Sequence, residues 1–460
     1  MVHGTILFYK TGYTAVEGTG MTLENDILNE IKPTPEECRE ILDRADRLKK
    51  LADAYIEEHG LKAEARSVGS VGKGTYLRNP DIDLFLMFSE DVPRAEMERQ
   101  GLQAGRDLVG GVMMFAEHPY TSGKFEGMDV DMVPCYAVRS ATAIKTAVDR
   151  TPFHAEYVLS HTDEALRDEI RLMKRFMKGI GTYGAEPDVR GFSGYLCEIM
   201  TIKYGGFLWT LRRASKWKPG TTIFIEEKGD PMKEPLVFYD PVDPHRNVAS
   251  AVHEDTLCKF VAACDAYLKS PDRRFFFPEK RVAPSRDELL RQWIGRGTGL
   301  VSVSFKRPDI IPENLHAQVW KTQYGLEKKL EEYEFKVIRA EHCEDENEVH
   351  VIFELSSFAL PKLHIHDGPP IHVETAKGFL ERWKDNPYGH PFISEGRWMV
   401  VCEQPFCDAA SLISSEAHRS GLGKNLDEAT MVVRSQEEVI QNMDPLTLAQ
   451  LFDPHMPWEN

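Results

Sequence analysis

The segment SVGSVGKGTYLRNPDIDLFLMF, residues 67–88, constrains the fold more than any other part of the chain. Its last five residues, LFLMF, are all apolar, which is typical of a central strand buried on both faces. Two carboxylates, Asp81 and Asp83, stand where this strand begins. Because burying an unpaired carboxylate costs several kcal/mol, the segment needs a cation or hydrogen-bond donors beside these two side chains.

A second pair of aspartates repeats this spacing. Asp129 and Asp131 lie in MDVDMVPCY, which is also predicted to be a strand. Side chains two residues apart in a strand share a face, and two carboxylates that close repel unless a hard cation such as Mg²⁺ lies between them. If the two strands are adjacent, three carboxylates can hold two metal ions about 4 Å apart, as nucleotidyl transfer requires.

A glycine-serine turn precedes the first pair of aspartates. The backbone N–H groups at Gly69 and the hydroxyl of Ser70 can donate to a phosphate, and Lys73 adds a cation. A glycine-serine pair alone is typical of an ordinary turn. Its position just before a buried strand that begins with two aspartates makes the phosphate-binding interpretation far more specific.

Apolar periodicity predicts an α+β protein of several domains. The predicted elements of the first domain are helices over 34–60 and 92–111 and strands over 63–69, 81–88, 112–120 and 128–136. Residues from about 164 to 270 are predicted to be mostly helical, with a turn at DPVDPHRN (240–247). A stretch rich in proline and charge, 271–288, marks a boundary before a C-terminal α+β region.

Composition excludes several classes of protein. No apolar run approaches the ~18 residues that a membrane span needs. The eight cysteines are scattered without a CxxC pair, which indicates reduced thiols in a cytoplasmic protein. The net charge is −17, yet residues 171–220 carry ten Lys or Arg against three Asp or Glu. This basic segment is interpreted either as a polyanion-binding surface or as solvated helix faces. Residues 1–20 precede a second methionine and are predicted to be an extension or a disordered arm.

Taken in order, these motifs resemble the archaeal-type (class I) CCA-adding tRNA nucleotidyltransferases of the polymerase-β nucleotidyltransferase superfamily. The resemblance rests on GSVGKGTYLRNPDIDLFLMF, AEHPYTSGKFEGMDVDMVPCY, KTAVDRTPFHAEYV, LMKRFMKGIGTYGAEPDVRGFSGYLCE and DPVDPHRNVAS. It implies a polymerase-β-like catalytic head over 21–150, a helical nucleotide-binding neck over 151–275, and an α+β body and tail over 276–460 that bind tRNA. It is compatible with a homodimer.

The resemblance also implies an activity and a set of site residues. The activity is addition of C, C and A to the 3′ end of tRNA from CTP and ATP, with Mg²⁺ as cofactor and pyrophosphate as product. The implied metal-binding and catalytic residues are Asp81, Asp83 and Asp131, and the implied nucleotide-binding residues are Ser70, Lys73, His154, Lys174, Tyr183 and Arg246. Lys73 stands where several family members have arginine, so its charge is kept but bidentate phosphate binding is not.

Two other functions stay open at the level of the sequence. A poly(A) polymerase-like terminal nucleotidyltransferase would share the glycine-serine turn and the carboxylates, although DPVDPHRN and the C-terminal α+β region favour CCA addition. A catalytically inactive RNA-binding module would not need to keep all three carboxylates. His364, His366 and His372 are interpreted as a solvated strand face, because no neighbouring Cys or carboxylate in the sequence completes a metal site.

Overall fold

The computed structural model describes residues 22–115 and 118–459, so the predicted extension over 1–20 lies outside the described residues. The chain divides into two compact units, one formed by residues up to 184 together with 191–278, the other by 185–190 together with 279–460. The finer division into head, neck, body and tail stays a prediction. Among the described residues, no helix combines the length and the apolar character that a membrane crossing requires.

The first unit contains most of the helices and two of the sheets. Its elements are α1 (Leu23–Ile31), α2 (Pro35–Glu58), β1 (Ala63–Ser67), α3 (Gly69–Lys73), β2 (Ile82–Phe88), α4 (Arg94–Val109), β3 (Val112–Phe115), β4 (Pro119–Phe125), β5 (Met128–Tyr136), α5 (Thr151–Ser160), α6 (Glu164–Gly179), α7 (Gly194–Tyr204), α8 (Phe207–Ala214), β6 (Thr221–Ile223), β7 (Leu236–Asp240), β8 (Asp243–Asn247) and α9 (Glu254–Lys269).

The predicted helix over 34–60 is confirmed as α2, and local chemistry explains where it begins. The hydroxyl of Thr34 accepts from the backbone N–H of Glu37, whose carboxylate accepts in return from the N–H of Thr34. Pro35 occupies the first helical position, where no N–H is needed. The buried side chains of α2 recur at three- and four-residue spacing and pack on the first sheet: Ile41, Ala45, Leu48, Ala52 and Ile56.

The first sheet has the strand order β1-β2-β5-β4-β3. Strand β2 pairs in parallel with β5, and the other pairs are antiparallel. As predicted, β2 is buried on both faces: Leu84 and Leu86 pack in one apolar cluster, while Phe85 and Met87 pack in another. The two strands that carry the aspartate pairs are therefore adjacent, which is the condition for bringing the carboxylates together.

The predicted single strand over 112–120 is wrong. The chain reverses there and forms β3 and β4, with Phe115 paired to Pro119 in an antiparallel hairpin. The reversal falls within AEHP (116–119), where Glu117, His118 and Pro119 interrupt the apolar pattern, so the sequence did carry a signal for it. Strand β4, PYTSGKF, is largely polar and lies against α4, where Gly105 allows close approach of Thr121.

The region from about 164 to 270 is mostly helical, as predicted, but it also holds a three-stranded sheet, β6-β7-β8. The segment DPVDPHRN, predicted to be a turn, supplies β8, which pairs with β7. Pro241 and Pro244 lack the N–H groups that a regular ladder uses. The side-chain amide of Asn247 compensates, because it accepts from the N–H of Phe238 at 2.8 Å and donates to the carbonyl of Leu236 at 2.9 Å.

The second unit is α+β, as predicted. Its elements are α10 (Arg286–Arg296), β9 (Gly299–Lys306), α11 (Pro312–Glu332), β10 (Val337–Glu344), β11 (Glu348–Leu355), β12 (Leu363–Pro370), α12 (Ala376–Trp383), β13 (Phe392–Ser394), β14 (Arg397–Glu403), α13 (Ala409–Glu416), β15 (Val432–Ser435), α14 (Glu437–Asn442) and α15 (Pro445–Phe452). They form an antiparallel sheet β10-β11-β9-β15 and a smaller sheet β12-β14-β13.

The histidines of β12 have neighbours that the sequence did not reveal. Nε2 of His364 lies 3.3 Å from the Cys402 sulfur, and Nδ1 of the same ring lies 3.8 Å from a Glu334 carboxylate oxygen. His366 packs against Phe379 and Trp383 instead. Across the residues that the structure describes, no three His, Cys, Asp or Glu side chains are grouped so as to hold a metal ion.

Candidate active site

Asp83 and Asp131 form the centre of the candidate site. They occupy paired positions in the parallel register of β2 and β5, so their side chains leave the same face of the sheet. Burial, together with the charge of Asp131, raises the pKa of Asp83 to about 6. Asp81, exposed and one residue before β2, also has a raised pKa because of partial burial and the charge of Asp129.

The carboxylates at this edge of the sheet suit a hard divalent cation. Burial raises the pKa of Asp131 as well, so every carboxylate of the predicted set lies where added positive charge is favourable. The paired Asp83 and Asp131 are already in register, whereas the exposed Asp81 must turn toward them to complete a three-carboxylate site. Asp129 is exposed and binds Lys124 at 2.8 Å, which leaves it outside the set.

The glycine-serine turn lies directly against Asp83. Gly69 begins α3 with φ +60°, and a Cβ atom there would lie 1.7 Å from Oδ2 of Asp83. The N–H of Val68 donates to the carbonyl of Asp83 at 3.0 Å. Only glycine lets the turn approach this closely, and Ser70, which follows it, therefore stands next to the carboxylates, partly exposed.

Glu198 of α7 joins the two predicted lysines. Its carboxylate, fully buried, accepts from Lys73 Nζ at 2.6 Å, Lys174 Nζ at 2.7 Å and the Thr75 hydroxyl at 2.6 Å. Burial opposes ionisation of Glu198, but the two ammonium groups outweigh it and hold its pKa at about 2. Two cations against one anion leave an excess positive charge in a poorly solvated place, which favours an anionic ligand.

The two lysines differ in how much they can offer such a ligand. Lys174 also donates to the hydroxyl oxygen and the carbonyl of Thr75, at 2.9 and 3.3 Å, and is only 4% exposed. Burial lowers its pKa. Because three acceptors already surround the Lys174 ammonium group, it supports Lys73 and Glu198 through its charge rather than by reaching out to a ligand. Lys73 donates to Glu198 and lies 5.7 Å from the centre of the Tyr195 ring.

Asp240, at the end of β7, organises a second group of predicted residues. His154 Nε2 lies 2.8 Å from Oδ2 of Asp240, and Arg246 Nη1 donates to the same oxygen at 2.9 Å. The Tyr195 hydroxyl donates to Oδ1 at 3.2 Å, and its ring stacks on His154 with centres 3.9 Å apart. Burial lowers the pKa of His154, although the hydrogen bond to Asp240 opposes this. Arg246 is the more exposed member, with 37% of its side chain accessible.

Tyr183 lies beside the lysine group. A Cβ atom at Gly194 would lie 2.8 Å from the Tyr183 hydroxyl and 3.9 Å from Cε of Lys174, so the hydroxyl and Lys174 are close neighbours. The ammonium group of Lys178 lies 5.0 Å from the centre of the Tyr183 ring, and its charge partly opposes the rise in the pKa of Asp81. Lys178 thus connects the lysine group electrostatically with the carboxylates.

The predicted residues therefore form three neighbouring groups within the first unit. The carboxylate group is Ser70, Asp81, Asp83 and Asp131; the lysine group is Lys73, Lys174 and Tyr183; the Asp240 group is His154 and Arg246. A cavity of about 380 Å³ adjoins Asp83 and Asp131, and its wall includes Phe85 and Tyr120.

Sequence reasoning missed Glu198, Asp240 and Tyr195, on which the lysine group and the Asp240 group depend. A signal was available for the two acids. Glu198 interrupts the apolar run LCEIM, and Asp240 ends the apolar run LVFYD. A carboxylate within such a run is rarely buried without a partner. The partners themselves come from distant segments, so the sequence alone could not identify them.

Three family models match separate parts of the chain. The nucleotidyltransferase domain matches residues 48–154, the second domain of tRNA nucleotidyltransferase matches 168–277, and the C-terminal domain of CCA-adding enzyme matches 296–441. Among curated relatives, the CCA-adding enzyme of Methanosarcina mazei is 36% identical over 428 residues, covering 91% of this chain and 93% of the relative. The CCA-adding enzyme of Picrophilus torridus is 38% identical and covers 83% of this chain and 87% of the relative. The corresponding enzyme of Halobacterium salinarum is 38% identical, covering 86% and 89%.

Proposed function

This chain belongs to the CCA-adding enzyme family of tRNA nucleotidyltransferases, and we propose that it adds C, C and A, one at a time, to the 3′ end of tRNA in the cytoplasm, with Mg²⁺ as its cofactor. The observation that carries the proposal is the paired placement of Asp83 and Asp131 with Gly69 against Asp83. A terminal 3′-oxygen attacks the α-phosphorus of CTP or ATP. A new P–O bond forms, the bond to the bridging oxygen breaks, and pyrophosphate leaves.

Asp83 and Asp131, joined by Asp81, would hold the metal. Bound there, it would supply activation of the attacking hydroxyl and charge balance for the leaving pyrophosphate. The residues of the chain prepare this site: the register of β2 and β5 fixes the two buried carboxylates, and the Gly69 backbone keeps the Asp83 side chain in place. The donor set consists of hard oxygen atoms, which suits Mg²⁺.

The triphosphate binds at the start of α3 and the lysine group. Ser70 and the N–H groups of the turn donate to phosphate oxygens. Lys73 supplies a direct cation, while Glu198 and Lys174 fix its position and leave an excess positive charge nearby. Tyr183 borders the same place and offers a hydroxyl to the sugar or a phosphate.

Base selection belongs to the Asp240 group. Asp240 holds the guanidinium of Arg246 and the ring of His154 in fixed orientations. Arg246, the exposed member, presents its remaining donors to the incoming base, whose acceptor pattern distinguishes C and A from other bases. The cavity beside Asp83 and Asp131 receives the 3′-terminal nucleoside of the RNA. We assign the body and tail, 276–460, to the rest of the tRNA.

Primer extension tests this function. A tRNA lacking its terminal CCA is incubated with the full chain, Mg²⁺, CTP and ATP, and the products are resolved to single nucleotides. Extension that stops after three additions and requires both nucleotides supports CCA addition. A long ladder with ATP alone would instead identify a poly(A) polymerase-like activity. Binding of tRNA without any extension would identify an inactive RNA-binding module.

A further inference from the structure

Two arginines of the first unit converge on one aromatic ring. The guanidinium carbon of Arg175 lies 4.2 Å from the centre of the Phe277 ring, and that of Arg273 lies 4.4 Å from it. Arg175 projects from α6, whereas Arg273 and Phe277 follow α9. An aromatic ring attracts each cation, but the two cations repel each other. The cluster formed by Arg175, Arg273 and Phe277 therefore needs negative charge.

Among the described residues, Glu30 is the carboxylate beside this cluster, and Arg273 binds it. Nη2 of Arg273 donates to both oxygens of Glu30, at 2.9 and 2.7 Å. The Nε atom of Arg175 is buried and has no hydrogen-bond partner within the described parts of the chain. Burial lowers the pKa of Arg175; the charge of Glu30 opposes this, and the charge of Arg273 adds a smaller lowering. A half-buried guanidinium with too few acceptors is a receptor for an anion.

We propose that Arg175 binds a backbone phosphate of the acceptor RNA, close to its 3′ end. A planar guanidinium that is stacked on a ring, and whose Nε has no partner among the described residues, suits a phosphate group. The inference rests on the proposed function for the identity of the polyanion. It also gives a specific role to the basic segment 171–220, in which Arg175 lies.

The position of Arg175 favours RNA over the nucleotide triphosphate. Successive residues of a helix point about 100° apart, so Arg175 does not share the direction of Lys174, which faces Glu198. Lys178 follows Arg175 by one helical turn, and its charge acts on Asp81. The Arg175 cluster therefore lies on another face of α6 than Lys174, beside Phe277 and Arg273 rather than in the lysine group, and we assign it to the RNA strand that leads to the reacting 3′ end.

The test uses full-length Arg175→Ala and Arg175→Met proteins and a tRNA lacking CCA. Methionine keeps an apolar contact with Phe277 but has no charge. We expect both variants to raise the Kd for tRNA about tenfold and to reduce the salt-dependence slope of binding by about 1. The KM for CTP should be unchanged. Arg99→Ala is the matched control, because Arg99 is an arginine of the same unit that is already paired, with Glu96 at 2.6 Å, and its loss should leave tRNA affinity unchanged.

Three results would overturn the inference. Unchanged tRNA affinity and salt slope in both variants would show that no phosphate is bound at Arg175. A raised KM for CTP with unchanged tRNA affinity would assign the phosphate to the nucleotide. Full recovery of tRNA binding in Arg175→Met would assign the effect to packing on Phe277. Extension of tRNA by the unaltered protein is measured alongside, so failure of the proposed function is seen independently of these variants.

Discussion

Asp83 and Asp131 lie opposite each other across the parallel strands β2 and β5, and the backbone of Gly69 closes against Asp83 from the other side. The sheet thus forces two carboxylates together in a place where burial raises the pKa of one to about 6. Repulsion between the two carboxylates destabilises the metal-free protein, and a bound cation removes that repulsion. The close approach of the two carboxylates is therefore expected to lower the stability of the metal-free protein, and it is also what the proposed chemistry requires.

Replacing Asp83 should separate these two effects. In Asp83→Asn the repulsion with Asp131 is lost, so without divalent ions the melting temperature should not fall. Nucleotidyl transfer should fall by about 1,000-fold, because the charge that holds the metal is gone. The stabilisation that Mg²⁺ gives to the unaltered protein should also disappear. Thermal unfolding with and without Mg²⁺ and single-turnover extension of tRNA measure these quantities.

Asp129→Asn is the matched control for that experiment. Asp129 is exposed and paired with Lys124, so we expect little change in rate and the same response of the melting temperature to Mg²⁺. Near-normal activity in Asp83→Asn, or an equal loss in Asp129→Asn, would contradict the assignment of the metal site.

The approach of Gly69 to Asp83 gives a second prediction. In Gly69→Ala the new Cβ would meet Oδ2 of Asp83, so the carboxylate must move and transfer should slow by about 100-fold. Gly110→Ala is the control, since Gly110 has a similar φ of +61° but open space around its Cβ position. Both variants carry the left-handed backbone strain of about 1 kcal/mol. Similar extension rates in the two variants would show that the contact with Asp83 does not matter for catalysis.

The placement of Asp83 and Asp131 in two strands was predictable because it is encoded locally. Spacing of two within a strand put Asp83 on a definite face, and the all-apolar run after it identified β2 as central. The sequence did not predict that β2 and β5 are adjacent, because nothing in either strand specifies which strand pairs with it. The hairpin of β3 and β4 was missed because the apolar run Val112–Phe115 was extended across Glu117 and His118 to Tyr120, although Pro119 is typical of a break in a strand.

The charged groups behind the site were not predictable, because each depends on segments far apart in the chain. Lys73, Lys174 and Glu198 come from α3, α6 and α7, and only tertiary packing makes Glu198 their common partner. Resemblance to a family indicated both lysines as nucleotide-binding residues. It did not indicate that Lys174 is enclosed, which follows from its three acceptors.

Glu198 predicts a specific pH dependence of stability. The pKa of Glu198 lies near 2 in the folded chain, below its ordinary value of 4.5. Between these values the unfolded chain binds more protons, so the contribution of Glu198 to stability is complete above pH 4.5 and is lost as the pH falls toward 2. Glu198→Gln should destabilise the protein by about 3 kcal/mol at neutral pH, and this difference should shrink as the pH falls below 4.5.

Urea unfolding of both proteins between pH 7 and pH 3 measures this difference. Glu96→Gln is the control, because it removes an exposed partner of Arg99. It should leave the decrease in unfolding free energy below pH 4.5 almost unchanged. A difference between the unaltered protein and Glu198→Gln that stays constant with pH would mean that Glu198 is not held ionised by the lysines.

The final prediction concerns base selection by the Asp240 group. Asp240→Asn removes the charge that orients Arg246 and His154, so we expect discrimination between CTP and UTP to fall by about 10- to 100-fold while extension continues. Tyr195→Phe removes only the 3.2 Å hydrogen bond to the other oxygen of Asp240 and should keep discrimination intact. The ratio of kcat/KM for CTP to that for UTP is measured on the same tRNA for each variant. If Arg246→Ala loses discrimination but Asp240→Asn keeps it, Arg246 selects the base without being positioned by Asp240.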